Sequence, residues 1–437
     1  MAEVSPFRGI RYSTSIVRDI SRVVCPPYDI ISPPEAEVLR HRSPYNAVNL
    51  ELADERPGDT PQDNRHTRAA ALFRRWLEQQ VLLREPSPAM YLLDEEFTFQ
   101  GSTRRRRGLM AVVRLEEFEK GIVMPHEYTR PGPKADSQAQ MNLANANFSP
   151  IMSLYRDADN AIGGLLEGAR PRRPTLSAQP EGLPRYKLWT ITDPQLFSEM
   201  GERFATRKIF VADGHHRYET ALRYRDELGA SKSLLSSDAA ARYIMMTLIP
   251  MDDPGLLVLP YHRLLGGLKD NDLASLKCGL ERVFKVDALE VPTTPAETMA
   301  RAVQDRLAAH SPQEVVMAAL GLEPGEAHLL TLRESYRPAG DGPSLERCDM
   351  WVLHQEVIGP ALGAEAEQAS VSFVHDAAEA VEQVQSGEKQ VAFLLRSLPM
   401  DLFEEVVGKG ERLPPKSTYF YPKLPTGLII NSLEGEL

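Results

Sequence analysis

Lys208-Ile-Phe-Val-Ala-Asp213-Gly214-His215-His216-Arg217-Tyr-Glu219-Thr220-Ala-Leu222 reads as a short apolar strand, a sharp turn at Asp213-Gly214, and a helix opening with two histidines and an arginine. A helix N-terminus presents unpaired backbone N–H groups and a partial positive charge, so it draws anions. Gly214 lets the backbone turn tightly and approach a ligand closely, and Arg217 adds a planar donor fork suited to phosphate. His215 and His216 titrate near neutrality or bind metal. The stretch therefore predicts a site for a phosphate, a metal, or both. An ordinary strand-to-helix turn, with Asp213 as N-cap, is the competing structural reading.

Strands and helices alternate on both sides of this motif. Upstream, Arg22 to Ile31 reads as a strand broken by Pro26-Pro27, followed by a helix from about Ser32. Residues 64–80 place Ala69, Leu72, Phe73, Trp76 and Leu77 at helical spacing. Arg104 to Arg107 lie between two strand-like runs and read as a solvated hairpin with arginines on alternate faces. Phe148 to Tyr155, Tyr186 to Thr192 and Ala241 to Pro250 read as further strands, with a helix from Pro194 to Phe204. From about residue 266 the texture changes to a smaller set of helices and strands poor in catalytic residue types. The expected class is α/β, mixed α+β. Residues 1–265 form the main body, 266–369 a smaller α/β unit, and 370–437 a C-terminal segment packing back on the body.

Four clusters carry chemistry, each where a strand or helix ends, as is usual for sites in α/β proteins. They are Asp213 to Arg217; His126-Glu127-Tyr128-Thr129; Pro260-Tyr-His262-Arg263; and Lys416-Ser417-Thr418 with Lys423. Bland readings exist for each: a surface loop pair for His126-Glu127, and a capped carbonyl or paired carboxylate for Arg263. Lys416-Ser417-Thr418 has phosphate-binding residue types, yet no Gly-rich loop precedes it. The chain has no G-x-G-x-x-G after a strand, no G-x-S-x-G and no H-E-x-x-H, so the common nucleotide loops and hydrolytic triads are unsupported.

The 437 residues carry a formal net charge of −11, which argues against general nucleic-acid binding. Cys25, Cys278 and Cys348 are far apart in sequence and form no C-x-x-C pair, the pattern of a reduced compartment. No signal-peptide pattern opens the chain and no apolar run is long enough to span a bilayer. A cytoplasmic protein with no membrane partner is expected, and a homo-oligomer is left open.

Taken together, Pro26-Pro27-Tyr28-Asp29, Asn46-Ala-Val-Asn49-Leu, His126-Glu127-Tyr-Thr129, Asn147-Phe-Ser-Pro150-Ile, Asp213 to Leu222, Pro260 to Arg263 and Pro415 to Lys423 resemble, in order, the domain of unknown function 1015 family over the whole chain. The strand–Asp213-Gly214-His215-His216-Arg217–helix segment also resembles the ParB/sulfiredoxin-like superfamily. Gly214 and Arg217 fall on its Gly-x-x-Arg positions, which bind nucleotide phosphates. That resemblance implies a ParB/sulfiredoxin-like core elaborated with additional α/β units. The superfamily's DNA-binding second motif is missing, and His215 stands where sulfiredoxins need cysteine, so chromosome partition and sulfinic-acid reduction are disfavoured.

The resulting expectation is a nucleotide-dependent phosphotransferase acting on a small polar, hydroxylated metabolite, with hydroxy amino acids among the candidates. The nucleotide is ATP or ADP, with CTP as an alternative, and Mg²⁺ accompanies it. Asp213, Gly214, Arg217, Lys416, Ser417, Thr418 and Lys423 are the expected nucleotide-binding residues, and Glu127, His215, His216 and Arg217 the catalytic ones. Glu127 is the candidate base and Asp213 the candidate Mg²⁺ ligand. Two other readings stay open. One is a metal-dependent phosphohydrolase using His126, His215, His216 and His262 with Asp213 or Glu127. The other is a nucleotide-sensing scaffold without fast turnover.

Overall fold

The computed structural model describes residues 1–129, 131–231, 236–336 and 344–437. The fold is mixed α+β and divides into two compact units, Met1–Leu257 with Pro422–Leu437, and Val258–Tyr421.

The first unit is built on a nine-stranded sheet. In chain order its strands are β1 (Val4–Ser5), β2 (Met90–Phe99), β3 (Ser102–Arg114), β4 (Val123–Pro125), β5 (Ile151–Tyr155), β6 (Leu176–Ala178), β7 (Arg185–Ile191), β8 (Ile209–Asp213) and β9 (Tyr243–Pro250). They lie in the order β4-β8-β5-β9-β3-β2-β7-β6, with β1 beside β3. β8 runs parallel to β4 and β9 parallel to β5, and the other pairs are antiparallel. Their central strands are nearly all apolar, as expected of strands covered on both faces.

The helices of this unit follow from amphipathic spacing and good caps. α1 (Pro33–Arg42) begins with a capping box, in which the Ser32 N–H donates to Glu35 Oε2 at 2.8 Å. α2 (Arg65–Glu78) is capped by Asn64 and buries Ala69, Phe73 and Trp76. α3 (Pro131–Ala144), α4 (Ala161–Ala169), α5 (Pro194–Ala205) and α6 (His215–Ser231) complete the set used below. A core of β-strand residues such as Leu109, Ile151 and Met246 meets Leu196, Met200 and Phe204 of α5. Among the described residues no helix is long and apolar enough to cross a membrane.

Two local expectations need correction. Residues 22–31 form no strand; 3₁₀ turns at Ile20–Arg22 and Tyr28–Ile30 flank Pro26-Pro27, which removes two ladder donors. The arginine hairpin exists, as β2 and β3, and its arginines do alternate faces, but it is not solvated throughout. Arg106 is fully buried and donates to the buried Glu95 at 2.7 Å, while Arg105 and Arg107 on the other face bond Asp94. Cross-strand register sets this, placing Glu95 directly opposite Arg106.

The second unit carries a six-stranded antiparallel sheet. Its strands are β10 (His262–Leu265), β11 (Phe284–Ala288), β12 (Val316–Leu320), β13 (Ala327–Leu332), β14 (Val371–Val374) and β15 (Val391–Leu394), in the order β11-β13-β12-β15-β10-β14. Helices α7 (Asp270–Val283), α8 (Ala296–Ala308) and α9 (Ala377–Gln385) belong to it. β14 and β15 bond to β10, and residues 370–421 of the segment expected to pack on the main body fall in this second unit. Of that segment, residues 422–437 are the part within the first unit.

Candidate functional site

β8 leads straight into the turn that organises the site. Its pairing with β5 shifts register between Val211 and Asp213, an irregularity of the kind that re-aims side chains beside sites. Gly214 follows with φ +99°, a conformation that penalises any L side chain. A Cβ there would stand 3.0 Å from the Arg217 guanidinium. The carbonyl of Gly214 accepts from the Tyr218 N–H at 3.0 Å, starting the 17-residue helix α6. Tyr218 locks the helix by donating its hydroxyl to the Glu116 carbonyl at 2.8 Å.

Asp213 is held between two cations. Lys423 donates to its Oδ1, and Arg217 donates to its Oδ2 at 2.9 Å. Burial alone would raise the Asp213 carboxyl, but Lys423 and then Arg217 outweigh it and hold the group well below the usual carboxylate range. Arg217 also donates to the Ser149 hydroxyl at 3.1 Å and the Pro150 carbonyl at 2.7 Å. Ser149 in turn donates to Glu51 Oε1 at 2.7 Å. Glu51 Oε2 is buried without a partner among the described residues, and Glu51, Ser149, Arg217 and Tyr28 line a polar cavity of about 30 Å³. That volume suits a water molecule.

Asp29 completes the charged cluster. It is exposed by area, yet its carboxyl stands in crowded surroundings; that crowding and then the charge of Asp213 raise it, against the pull of Lys423 and Arg217. Two neighbouring carboxylates are thus driven apart in acidity, the pattern that separates an acid–base group from a fixed anion.

The histidines have specific partners. His126 is buried; its Nδ1 bonds the Val211 carbonyl at 2.7 Å, and burial lowers its pKa. Its backbone N–H donates to His215 Nε2 at 3.3 Å, and the two rings pack edge-on with centroids 4.5 Å apart. An accepting Nε2 leaves the neutral His215 proton on Nδ1, which faces Glu127 Oε1 at 3.6 Å. Thr129 donates to Glu219 Oε2 at 2.8 Å, tying the 126–129 segment to α6. His216 is half-buried on the first turn of α6.

The first unit therefore brings together Asp213, Gly214, His215, Arg217, His126, Glu127 and Lys423. Lys416, Ser417, Thr418, His262 and Arg263 lie in the second unit. There His262 accepts from the Leu395 N–H through Nδ1 at 3.1 Å, and burial lowers its pKa to about 4. Arg263 is wholly buried, which brings its pKa down to about 9, and it donates to the carbonyls of Tyr261 and Lys416 at 2.6 and 2.9 Å. Ser417 donates to the Pro414 carbonyl at 2.5 Å, and the Lys416 ammonium sits 5.2 Å from the Tyr261 ring centre.

Metal fits this arrangement poorly. Both oxygens of Asp213 are committed to cations, and among the described residues no group of three or more His, Cys, Asp or Glu side chains could hold an ion. His126 Nδ1 is taken by the Val211 carbonyl, and His215 Nε2 accepts from the His126 backbone N–H.

Asp29, Glu51 and Ser149 are the members of the site that residue-by-residue reading assigned no role. All three fall in or beside the quoted family motifs, which was the available signal. A family model described as a protein of unknown function (DUF1015) matches residues 4–351. The chain belongs to that family. No curated protein matches it in sequence. Among solved structures, a free serine kinase mutant in complex with AMP is similar at 13% identity and a TM-score of 0.38, over 74% of this chain and 92% of that one. A conserved hypothetical protein from Pyrococcus furiosus is similar at 15% identity and a TM-score of 0.36, over 72% and 93%. SbnI with a C-terminal truncation, from Staphylococcus aureus, follows at 11% identity and 0.35, over 75% and 87%.

Proposed function

We propose that this DUF1015 protein is a nucleotide-dependent phosphotransferase acting on a small hydroxylated metabolite. The observation that carries the reading is the meeting of Lys423 and Arg217 on Asp213 at the start of α6, beside a second carboxylate, Asp29, of raised pKa. Phosphoryl transfer asks a protein for positioning and for positive charge around the transferred group, with no covalent nucleophile.

In this reading the Gly214 turn and the first N–H groups of α6 cradle the phosphates. Lys423 and Arg217 exchange part of their bonding to Asp213 for phosphate oxygens. Asp213 keeps both cations in place before the nucleotide arrives, which lowers the cost of organising the site. The acceptor hydroxyl attacks the terminal phosphorus, its proton passes to Asp29, and the nucleoside diphosphate leaves. Glu127 holds the His215 ring, and His216 adds positive charge near the phosphates when protonated. The strand–turn–helix is read as the ParB/sulfiredoxin-like core of the first unit.

Calorimetric titration with ATP, ADP and CTP in the presence of Mg²⁺, beside Arg217→Ala, tests the phosphate site. Micromolar binding that disappears in the variant is expected. A screen of hydroxylated acceptors, read by phosphorus NMR, then separates a phosphotransferase from a nucleotide-sensing scaffold. Absence of nucleotide binding in the wild-type protein would overturn the proposal.

A further inference from the structure

One face of β7, β2 and β3 changes character along its length. Trp189 pairs with Leu92 and Leu92 with Leu109, an apolar row that shares the core with Leu166 of α4. Side chains alternate faces along a strand, so the next two rows on this face are Lys187–Asp94–Arg107 and Arg185–Glu96–Arg105, charged throughout. Where the apolar row ends, a cavity of about 290 Å³ is lined by Trp189, by members of both charged rows and by Arg170, the residue that caps the C-terminus of α4. β7 lies five steps from β8 in the order β8-β5-β9-β3-β2-β7, which puts roughly 24 Å of sheet between this cavity and Asp213.

The charges of this cluster do not balance. Both oxygens of Asp94 are committed, one to Arg105 and one to Arg107. Arg107 and Arg170 share Glu167. Glu96 faces Arg185 at 3.8 Å, beyond hydrogen-bond reach. Lys187 is exposed and has no hydrogen bond or ion pair among the described residues. Five cations thus meet three carboxylates, in a chain whose formal net charge is −11. Trp189 adds an independent observation. It is 3% exposed, and its buried indole N–H has no hydrogen-bond partner among the described residues, while the Arg170 guanidinium lies 5.0 Å from the ring centre. A buried indole donor is expected to have an acceptor, and an oxyanion in the cavity that Trp189 lines would supply one.

We propose that this cavity is a second anion site, taking a small organic phosphate ester as its dianion. The excess of two positive charges matches a divalent anion, whereas a carboxylate or sulfonate brings only one negative charge. The guanidinium forks of Arg185 and Arg170 suit phosphate oxygens, and Lys187 adds a point charge. The Trp189 indole offers one donor to the anion and an apolar ring to the organic body. The volume meets the lower end of the range of small-molecule sites.

The test uses the full chain, nitrogen-15 labelled, and follows the Trp189 indole N–H signal, which Trp189→Phe identifies by removing it. The probes are phenyl phosphate, benzenesulfonate and inorganic phosphate at about pH 8, where the ester is dianionic. Phenyl phosphate should move the signal downfield, as a newly made hydrogen bond does, and bind about tenfold more tightly than the other two. Lys187→Glu should weaken that binding by about tenfold or more. Lys187 has no partner to lose, so the unfolding midpoint of this variant should match the wild type and show that it folds. Arg217→Ala should leave the Trp189 response unchanged, which separates this site from the nucleotide site. An unmoved Trp189 signal at millimolar ester, equal binding of ester and sulfonate, equal binding of ester and inorganic phosphate, or full affinity in Lys187→Glu would each overturn the proposal.

Discussion

The ammonium of Lys423 bonds the carboxylate of Asp213 across 210 positions of sequence. The pair fixes the C-terminal strand-loop of the first unit to the turn that opens α6, and it stations a cation where phosphate is expected. Lys423→Met should therefore abolish nucleotide binding and lower stability by about 1.5–3 kcal/mol, the usual worth of a hydrogen bond to a charged group. Calorimetry and urea unfolding read the two effects. Unchanged nucleotide affinity in the variant would remove Lys423 from the site.

Asp29 and Asp213 should respond to pH in opposite senses. Asp213 is depressed in the folded protein, so its stabilisation is present above the ordinary carboxylate value of 3.8 and is lost as pH falls through its native value. Asp29 is raised, so its protonation favours the folded state at low pH, and that contribution is lost as pH rises through its native value. If Asp29 receives the acceptor proton, the acid limb of activity follows it and lies above 3.8. Carboxyl carbon NMR should show Asp29 titrating lower in Asp213→Asn than in the wild-type protein, because the neighbouring negative charge is gone. An unmoved Asp29 would contradict this coupling.

Gly214→Ala places a methyl group at φ +99° and 3.0 Å from Arg217. The strain should cost about 1–3 kcal/mol and displace the guanidinium from Asp213. Thermal unfolding and nucleotide titration should both worsen. A variant with native stability would show that the turn relaxes freely.

The buried pair of Arg106 and Glu95 makes a stability test far from the chemistry. Among the described residues, Arg106 Nη1 and Nη2 and Glu95 Oε1 find no further hydrogen-bond partner, so the pair is incompletely compensated. Arg106→Met alone strands a buried carboxyl and should cost about 3–5 kcal/mol. Adding Glu95→Leu should recover most of that loss. Denaturant midpoints of the single and double variants decide it, and additive losses would contradict the coupling.

How far the sequence reveals these features depends on the range of the interactions involved. Residues 208–222 were readable because strand, Asp-Gly turn and helix are set locally. Lys423 could be singled out by residue type, but its partner is revealed only by folding. Asp29 looks like a turn residue in a proline-rich segment; its pKa is raised first by burial and then by the charge of Asp213, a neighbour that only folding supplies. Arg104 to Arg107 are chemically identical in sequence. What buries Arg106 and leaves Arg105 half-open is the register with β2, which no single-strand pattern encodes. The pairing of β14 and β15 with β10 is hidden in the sequence for the same reason, since strand partners are chosen across the chain.

The first unit is discontinuous, leaving at Leu257 and resuming at Pro422. A ribosome making this protein therefore releases Asp213 and Arg217 long before it reaches Lys423. Until then the half-made site holds its anion and one of its two cations. The charged cluster is completed only after the intervening 164 residues, Val258–Tyr421, have been made.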